Sequence, residues 1–344
     1  MTPKAKPQHY LEYAIYRLFE TAFRFLPLKV TFHFGNTLGK TLYYLLPKLR
    51  RTVCRNIWFA FHHEKSEQEL QRLVKESFGL TLANLFSALV VPFLPTEKIR
   101  ELIEVEGLEL LEESFSAGKG TLVLIPHMGN WELLPQACGF PGLPIEMATH
   151  YRPLNNPLLN GLIERRRRTR GLHLFPKRTS ALTLSKFLGE NKFLAILADQ
   201  RVPKKGVLCH FFGRPTLCSP LPAALAARSG ANVLGLHCIT VAPGRWKLIF
   251  TKCQPTENGY DVQACATNLE QAWRGSPSDV FWLQDRWKLP RNNPLAPFAN
   301  QPPPKQEMIT TPLRFSEKID CSEHQLPDYL YQYVASDDPH PRDL

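Results

Sequence analysis

"TLVLIPHMGNWELLP", residues 121 to 135, is the segment from which the fold is read. Its first five residues are apolar or β-branched and end at a proline, the pattern of a short buried strand. Pro126 keeps Ile125 extended and closes that strand. Asn130 is a suitable N-cap for a helix starting at Trp131, which puts Glu132 in its first turn. His127 then lies in the loop just past the strand's carboxyl end, where open α/β sheets place their ligands. Gly129 within that loop lets Glu132 fold back toward the imidazole. A carboxylate on one ring nitrogen fixes the tautomer and leaves the other nitrogen free to take a proton. A loop histidine followed by an ordinary acidic helix start has the same spacing, because an acid there favours the positive end of the helix dipole. Spacing alone does not choose between the two.

Outward from this segment, short apolar runs alternate with helical patterns. Candidate strands are 121–125, 145–149, 193–198, 232–239 and 246–251, with helices near 131–138, 155–170, 179–190 and 219–229. Such alternation predicts an α/β fold with a mostly parallel central sheet flanked by helices. Residues 1–98 read as an N-terminal, helical, membrane-associating region and 99–292 as the α/β core, the two forming one domain. Six of the fifteen residues from Pro290 to Pro304 are proline, so 293–344 is read as a flexible, Pro-rich, acidic extension. There is no internal repeat, no G-x-x-x-x-G-K-[ST] phosphate loop and no dinucleotide glycine fingerprint, so neither a nucleotide nor any other cofactor is expected.

The 344 residues are 44% hydrophobic and 11% aromatic, enough for a sizeable core and not the composition of a disordered chain. Net charge is +11, and residues 301–344 hold four Lys/Arg against eight Asp/Glu, which leaves +15 on the first 300. That field favours an anionic partner: nucleic acid, an acidic protein or a phosphate-rich membrane surface. Nucleic acid is disfavoured, because the arginine run 165–170 lacks interleaved aromatics and no reading motif is present. Eight cysteines are scattered without a C-x-x-C pair, as expected of buried thiols in a reducing compartment. Cys209 and His210 have no second ligand pair, so no metal site is expected.

"YLEYAIYRLFETAFRFLPLKV" (10–30) places Tyr10, Leu11, Ala14, Ile15, Leu18, Ala22, Phe23 and Phe25 in a helical stripe beside charged positions. The charges break any stretch long enough for a signal peptide or a clean span, leaving a helix packed on the core or lying in a membrane interface. The basic cluster "KLRRTVCRN" (48–56) supports the interface. Ser77 to Thr96 carries no charge, but Asn84 and Pro92 argue for a core helix ending near Val91.

"HMGNWE" (127–132) resembles the H-x4-[DE] motif of glycerolipid-type acyltransferases. With "YRPLNNPLLNGLIERRRRTRG" (151–171), "LADQRVPKKGVLCHFFGRPT" (197–216), "VFWLQDRWKLP" (280–290) and "CRNIWFAF" (54–61), the chain resembles the bacterial lipid A biosynthesis (late or secondary) acyltransferases over roughly residues 10–290. The resemblance implies transfer of a fatty acyl chain from acyl carrier protein to a hydroxyl of a Kdo-lipid A precursor, at the cytoplasmic face of the inner membrane. It makes His127 the general base, oriented by Glu132, and assigns substrate contacts to Arg167, Asp199 and Gln200, with Arg152 a second cation and Asn130 within the motif. "HFFGRPT" (210–216) is implied to line an acyl tunnel or the site entrance, though its aromatic pair equally suits a core. Where the family usually has a histidine before "RWK", this chain has Gln284 and Asp285, and its C-terminal extension is longer than usual. A lysophospholipid or glycolipid acceptor, or a non-catalytic basic membrane-binding protein, are the alternatives.

Overall fold

The computed structural model describes residues 5–137, 145–168 and 170–289. Four helices lead: α1 (Pro7–Phe23), α2 (Leu28–Leu45), α3 (Pro47–Phe61) and α4 (Glu67–Val90). After them come α5 (Thr96–Glu101), β1 (Ile103–Glu106), α6 (Leu108–Ser116), β2 (Thr121–Ile125), β3 (Met147–Tyr151), α7 (Pro157–Arg168), β4 (His173–Pro176), α8 (Ala181–Gly189) and β5 (Phe193–Leu197). The chain continues through the hairpin β6 (Val207–Phe211) and β7 (Arg214–Cys218), then α9 (Leu221–Ser229), β8 (Asn232–Ala242), β9 (Arg245–Lys252) and α10 (Val262–Gly275).

Seven strands form one sheet in the order β1-β9-β8-β2-β5-β3-β4, and every neighbouring pair is parallel except β8 and β9. Strand β2 lies centrally, with all five residues buried, because helices cover both faces of a parallel sheet. Its period of two divides the interior: Leu122 and Leu124 join one apolar cluster, Val123 and Ile125 the other. The expected α/β architecture is therefore present, with β1 and β4 added at the edges. Both are four-residue strands with at most one buried residue, too short for the pattern to announce even though β1 (Ile-Glu-Val-Glu) alternates.

Three local expectations change. The segment after His127 is a 3-10 helix, Trp131–Ala137, rather than an α-helix. Pro135 has no N–H for the first i−4 bond, to the Trp131 carbonyl, so the tighter turn replaces it. The "HFFGRPT" loop is a β-hairpin, with Phe211 and Phe212 packed against Trp273 and Trp287 in the core. Its strands bring Cys209 and Cys218 together as a disulfide, so these two are not the free thiols expected from their scattered spacing; Cys54, Cys238, Cys253 and Cys265 are free and buried. The proposed extension 293–344 lies outside the described residues.

Helix α4, with the turn that follows it (Glu67–Phe93), is the described helix long and apolar enough to cross a membrane, yet half of its most apolar window is buried inside the fold. It packs along α2 with the backbones in contact. A Cβ added at Gly39 would sit 2.1 Å from the Phe78 carbonyl oxygen, and one at Gly35 2.7 Å from Ala83 Cα. Only the missing side chains permit that approach. Gly39→Ala is expected to destabilise the protein by about 1–3 kcal/mol through forced separation of α2 from α4, read as a lower midpoint in denaturant unfolding. Gly118→Ala, where added atoms meet open space, controls for the glycine-to-alanine change, though its positive φ carries its own strain.

Candidate active site

Strands β2 and β5 pair in register, Ile125 opposite Leu197, and each carries a polar residue two positions beyond that pair. These are His127 and Asp199. Asp199 Oδ2 accepts the His127 backbone N–H at 2.7 Å, and Oδ1 lies 2.6 Å from His127 Nδ1. One carboxylate thus holds both the loop and the ring. Asp199 is 2% exposed. Burial pushes its carboxyl pKa up, but the charge of His127 and the two hydrogen bonds overcome this and hold it below the usual carboxylate range. Burial likewise opposes charging of His127; the Asp199 charge and hydrogen bond prevail, with a smaller pull from Glu132, and the ring's pKa is raised.

The other ring nitrogen, Nε2, lies 3.1 Å from Gln200 Nε2, in an exposed position. With Nδ1–H donating to Asp199, Nε2 is an acceptor, the form a general base requires. Trp131 packs edge-on against the imidazole, ring centroids 5.4 Å apart.

The loop carrying His127 is clamped from the far end of the chain. Phe281 N–H donates to the His127 carbonyl at 2.9 Å, and Gly129 N–H to the Asp279 carbonyl at 2.9 Å. The Asp279 carboxylate is itself buried among Thr240 N–H, Thr240 Oγ1 and Ser276 Oγ. Gly129 has φ +54°, and a Cβ there would meet the Cys238 carbonyl oxygen at 2.2 Å, so glycine is required at this point. Asn56 in α3 donates to the Trp282 carbonyl at 2.8 Å and also to that of Gln284, while Arg55 pairs with Asp285. The early "CRNIWFAF" segment and the late "VFWLQDRWK" segment are thereby joined.

Glu132 is turned away from the imidazole. Arg167 Nη2 reaches both of its carboxylate oxygens, at 2.9 and 2.8 Å. The reach-back expected from the loop glycine is replaced by this ion pair, because the 3-10 turn presents Glu132 to α7 while Asp199 already occupies Nδ1. Arg167 Nε is buried without a hydrogen-bond partner, leaving an unspent donor. The pair closes the polar end of an apolar cavity of about 950 Å³ of empty space, its opening included. Sheet residues Ile125, Leu197, Ala195, Met147 and Phe193 line it together with Leu111 of α6, Leu134 of the 3-10 turn and Leu172. Its lining is almost wholly aliphatic and aromatic, with Glu132, Arg167 and Thr149 the polar exceptions.

The remaining sequence-derived residues are placed as follows. Arg152 is exposed just beyond β3, at the same sheet edge. Asn130 is buried, and neither polar atom of its side chain finds a partner, so it does not cap the turn. Arg286, not singled out from sequence, is 1% exposed beneath the site. It donates to Thr216 Oγ1 and Cys218 Sγ and lies over the Phe211 ring. Burial lowers its pKa to about 10, and the negative charge of Asp199 supports its cationic form.

A family model described as bacterial lipid A biosynthesis acyltransferase matches residues 1–289. The chain belongs to that family, and so is an O-acyltransferase. The phosphatidylinositol mannoside acyltransferase of Mycobacterium tuberculosis (strain ATCC 25618 / H37Rv) is 28% identical over 224 residues, 62% of this chain and 68% of that protein. The lipid A biosynthesis palmitoleoyltransferase of Escherichia coli (strain K12) is 23% identical over 269 residues, 76% and 86% of the two chains. A lipid A biosynthesis acyltransferase of Haemophilus influenzae is 25% identical over 142 residues, 40% of this chain and 42% of its own.

In this acyltransferase the Asp199–His127 contact makes a measurable demand. Asp199→Asn removes the charge that raises the ring's pKa, so the His127 titration followed by NMR is expected to move to lower pH. A ring acting as a base works deprotonated, so in that role the acid limb of the rate profile shifts the same way while the maximal rate falls.

Proposed function

We propose that the protein transfers a fatty acyl chain from an acyl carrier protein thioester to a hydroxyl of a Kdo-lipid A precursor, at the cytoplasmic face of the inner membrane. The observation that carries this reading is an imidazole with Asp199 on Nδ1 and an outward-facing Nε2, one aromatic ring away from a capped apolar cavity.

His127 Nε2 removes the hydroxyl proton as the oxygen attacks the thioester carbonyl. Asp199 steadies the imidazolium that forms. The tetrahedral intermediate then collapses, the C–S bond breaks, and the imidazolium returns its proton to the departing thiolate. The thioester is already electrophilic, so the residues need to supply base, orientation and a counter-charge. Arg167 lines the cavity with its Nε unspent and is suited to the developing oxyanion, while Glu132 holds the guanidinium in place. Gln200 marks the acceptor hydroxyl's position at Nε2, and Arg152, exposed on the same edge, is suited to an acceptor phosphate. The apolar cavity takes the acyl chain.

Membrane association is supported by α1, whose Tyr10, Leu11, Ile15, Leu18 and Phe19 are exposed. The opposite side of α1 is fastened to α7 by Glu20–Arg166 and by Asn156 donating to the His9 carbonyl and Glu12. The mycobacterial relatives favour a second reading with the same chemistry, in which the acceptor is a mannosylated or other glycolipid.

Incubation with carrier-protein thioester and a tetraacylated Kdo-lipid A precursor, read by mass spectrometry, is expected to show one added acyl chain. His127→Ala should lower the rate by about 10²–10⁴-fold. Transfer only to a glycolipid in a parallel acceptor panel selects the second reading, and full activity of His127→Ala overturns both. Phe193→Ala deepens the cavity floor and is expected to shift the preferred donor toward longer chains.

A further inference from the structure

The segment that follows Asp199 and Gln200 leaves the sheet edge as "RVPKKGVL" (201–208). Arg201 Nη1 donates to the Lys288 carbonyl at 2.8 Å, which draws the segment against the end of the "DRWKL" stretch. Val202 and Gly206 are pinned by backbone bonds to Leu217 and Val202, so the turn between them is fixed. Lys204, Lys205 and Lys288 are exposed, and Val207 and Leu208 are each 45% exposed beside them. Among the described residues none of Arg201, Lys204, Lys205 and Lys288 has an acidic partner within ion-pair distance. A basic patch with a small aliphatic centre therefore starts one residue from the side chain that touches His127 Nε2.

We infer that this patch, Arg201, Lys204, Lys205 and Lys288 around Val207 and Leu208, docks an acidic protein that delivers the acyl thioester. The inference rests on the proposed transfer reaction and names where its donor binds. A thioester tethered to a protein reaches Nε2 only if that protein sits at the site's rim, since reacting atoms must approach within about 3–3.5 Å. Four unneutralised cations spread over two segments exceed what one headgroup phosphate engages, and they suit a partner with acidic residues on one face. A lipid surface is the less favoured occupant. The exposed aromatic and aliphatic side chains suited to it lie on α1 and in the α1–α2 turn, at Tyr10, Leu11, Leu18, Phe19, Phe25 and Leu26, and the patch exposes no aromatic.

The test compares wild type with Lys204→Glu/Lys205→Glu and with Lys288→Glu, each checked for an unchanged unfolding midpoint. Acyl transfer is measured from a carrier-protein thioester and from the same acyl group on pantetheine, which is small and uncharged. For the carrier, kcat/KM is expected to fall about tenfold through KM, with the loss shrinking as salt rises; use of acyl-pantetheine should not change. Equal loss with both donors, or no loss with either, overturns the inference. So does loss of binding to phosphatidylglycerol vesicles in a flotation assay, which would assign the lysines to lipid. A wild-type protein that transfers from neither donor removes the reaction itself, an outcome separate from the behaviour of the variants.

Discussion

The site depends on one carboxylate doing two things. Asp199 accepts the backbone N–H of His127 and its ring N–H together, across the paired ends of β2 and β5. The strands are hydrogen-bonded in register through Leu124 and Ile196, so the carboxylate's position is set by the sheet and not by a mobile loop. A charge buried this deeply is tolerable only where it is fully paired. Arg286 contributes from below, itself a buried cation held by a hydroxyl, a sulfur and an aromatic face. The charge of Asp199 in turn favours the cationic form of that guanidinium.

Around these residues the two faces of the sheet carry different burdens. On one face, Trp58, Phe61, Phe211, Trp273, Trp282 and Trp287 are buried in one cluster, with Phe61 against Trp282 and Trp273 against Phe211 and Trp282 in edge-to-face contact. On the other face, small side chains at Thr149 and Ala195 lie over the sheet centre and leave room beneath α6 and the 3-10 turn. The aromatic rings of the first face come from α3, α10, the hairpin and the 282–287 segment packed onto the sheet, whereas the cavity lies on the other face. The Glu132–Arg167 pair then marks the boundary between apolar interior and polar entrance.

Much of this was legible in the sequence. "TLVLIP" and "FLAILADQ" read as buried strands, and the polar residue two positions past each paired end, His127 and Asp199, gave a sign of their meeting. That sign is recognisable only once the strands are known to be neighbours, which local periodicity does not state. The pairing of Glu132 with Arg167 was hidden for the same reason, since it depends on where α7 crosses the turn. Pro135 was visible, and its effect on the helix type follows from its missing N–H alone. The hairpin strands around "HFFGRPT" (210–216) are hidden because Gly213 and Pro215 mask the strand pattern, and their disulfide joins cysteines whose spacing matches no familiar motif. Arg286 looked like one more basic residue; only burial distinguishes it from its neighbours.

The clamp on the His127 loop also orders events in time. Its backbone partners are Asp279 and Phe281, about 150 positions downstream, and these are fastened in turn to Asn56 by way of Trp282 and Gln284. A ribosome that has released only the first two hundred residues has made His127, Asp199 and most of the residues that line the apolar cavity. The loop acquires its last supports when the tryptophan-rich stretch near 282–287 emerges and closes back on the third helix. A chain cut before residue 279 lacks both of these backbone partners, so the pose of the His127 loop belongs to the finished fold.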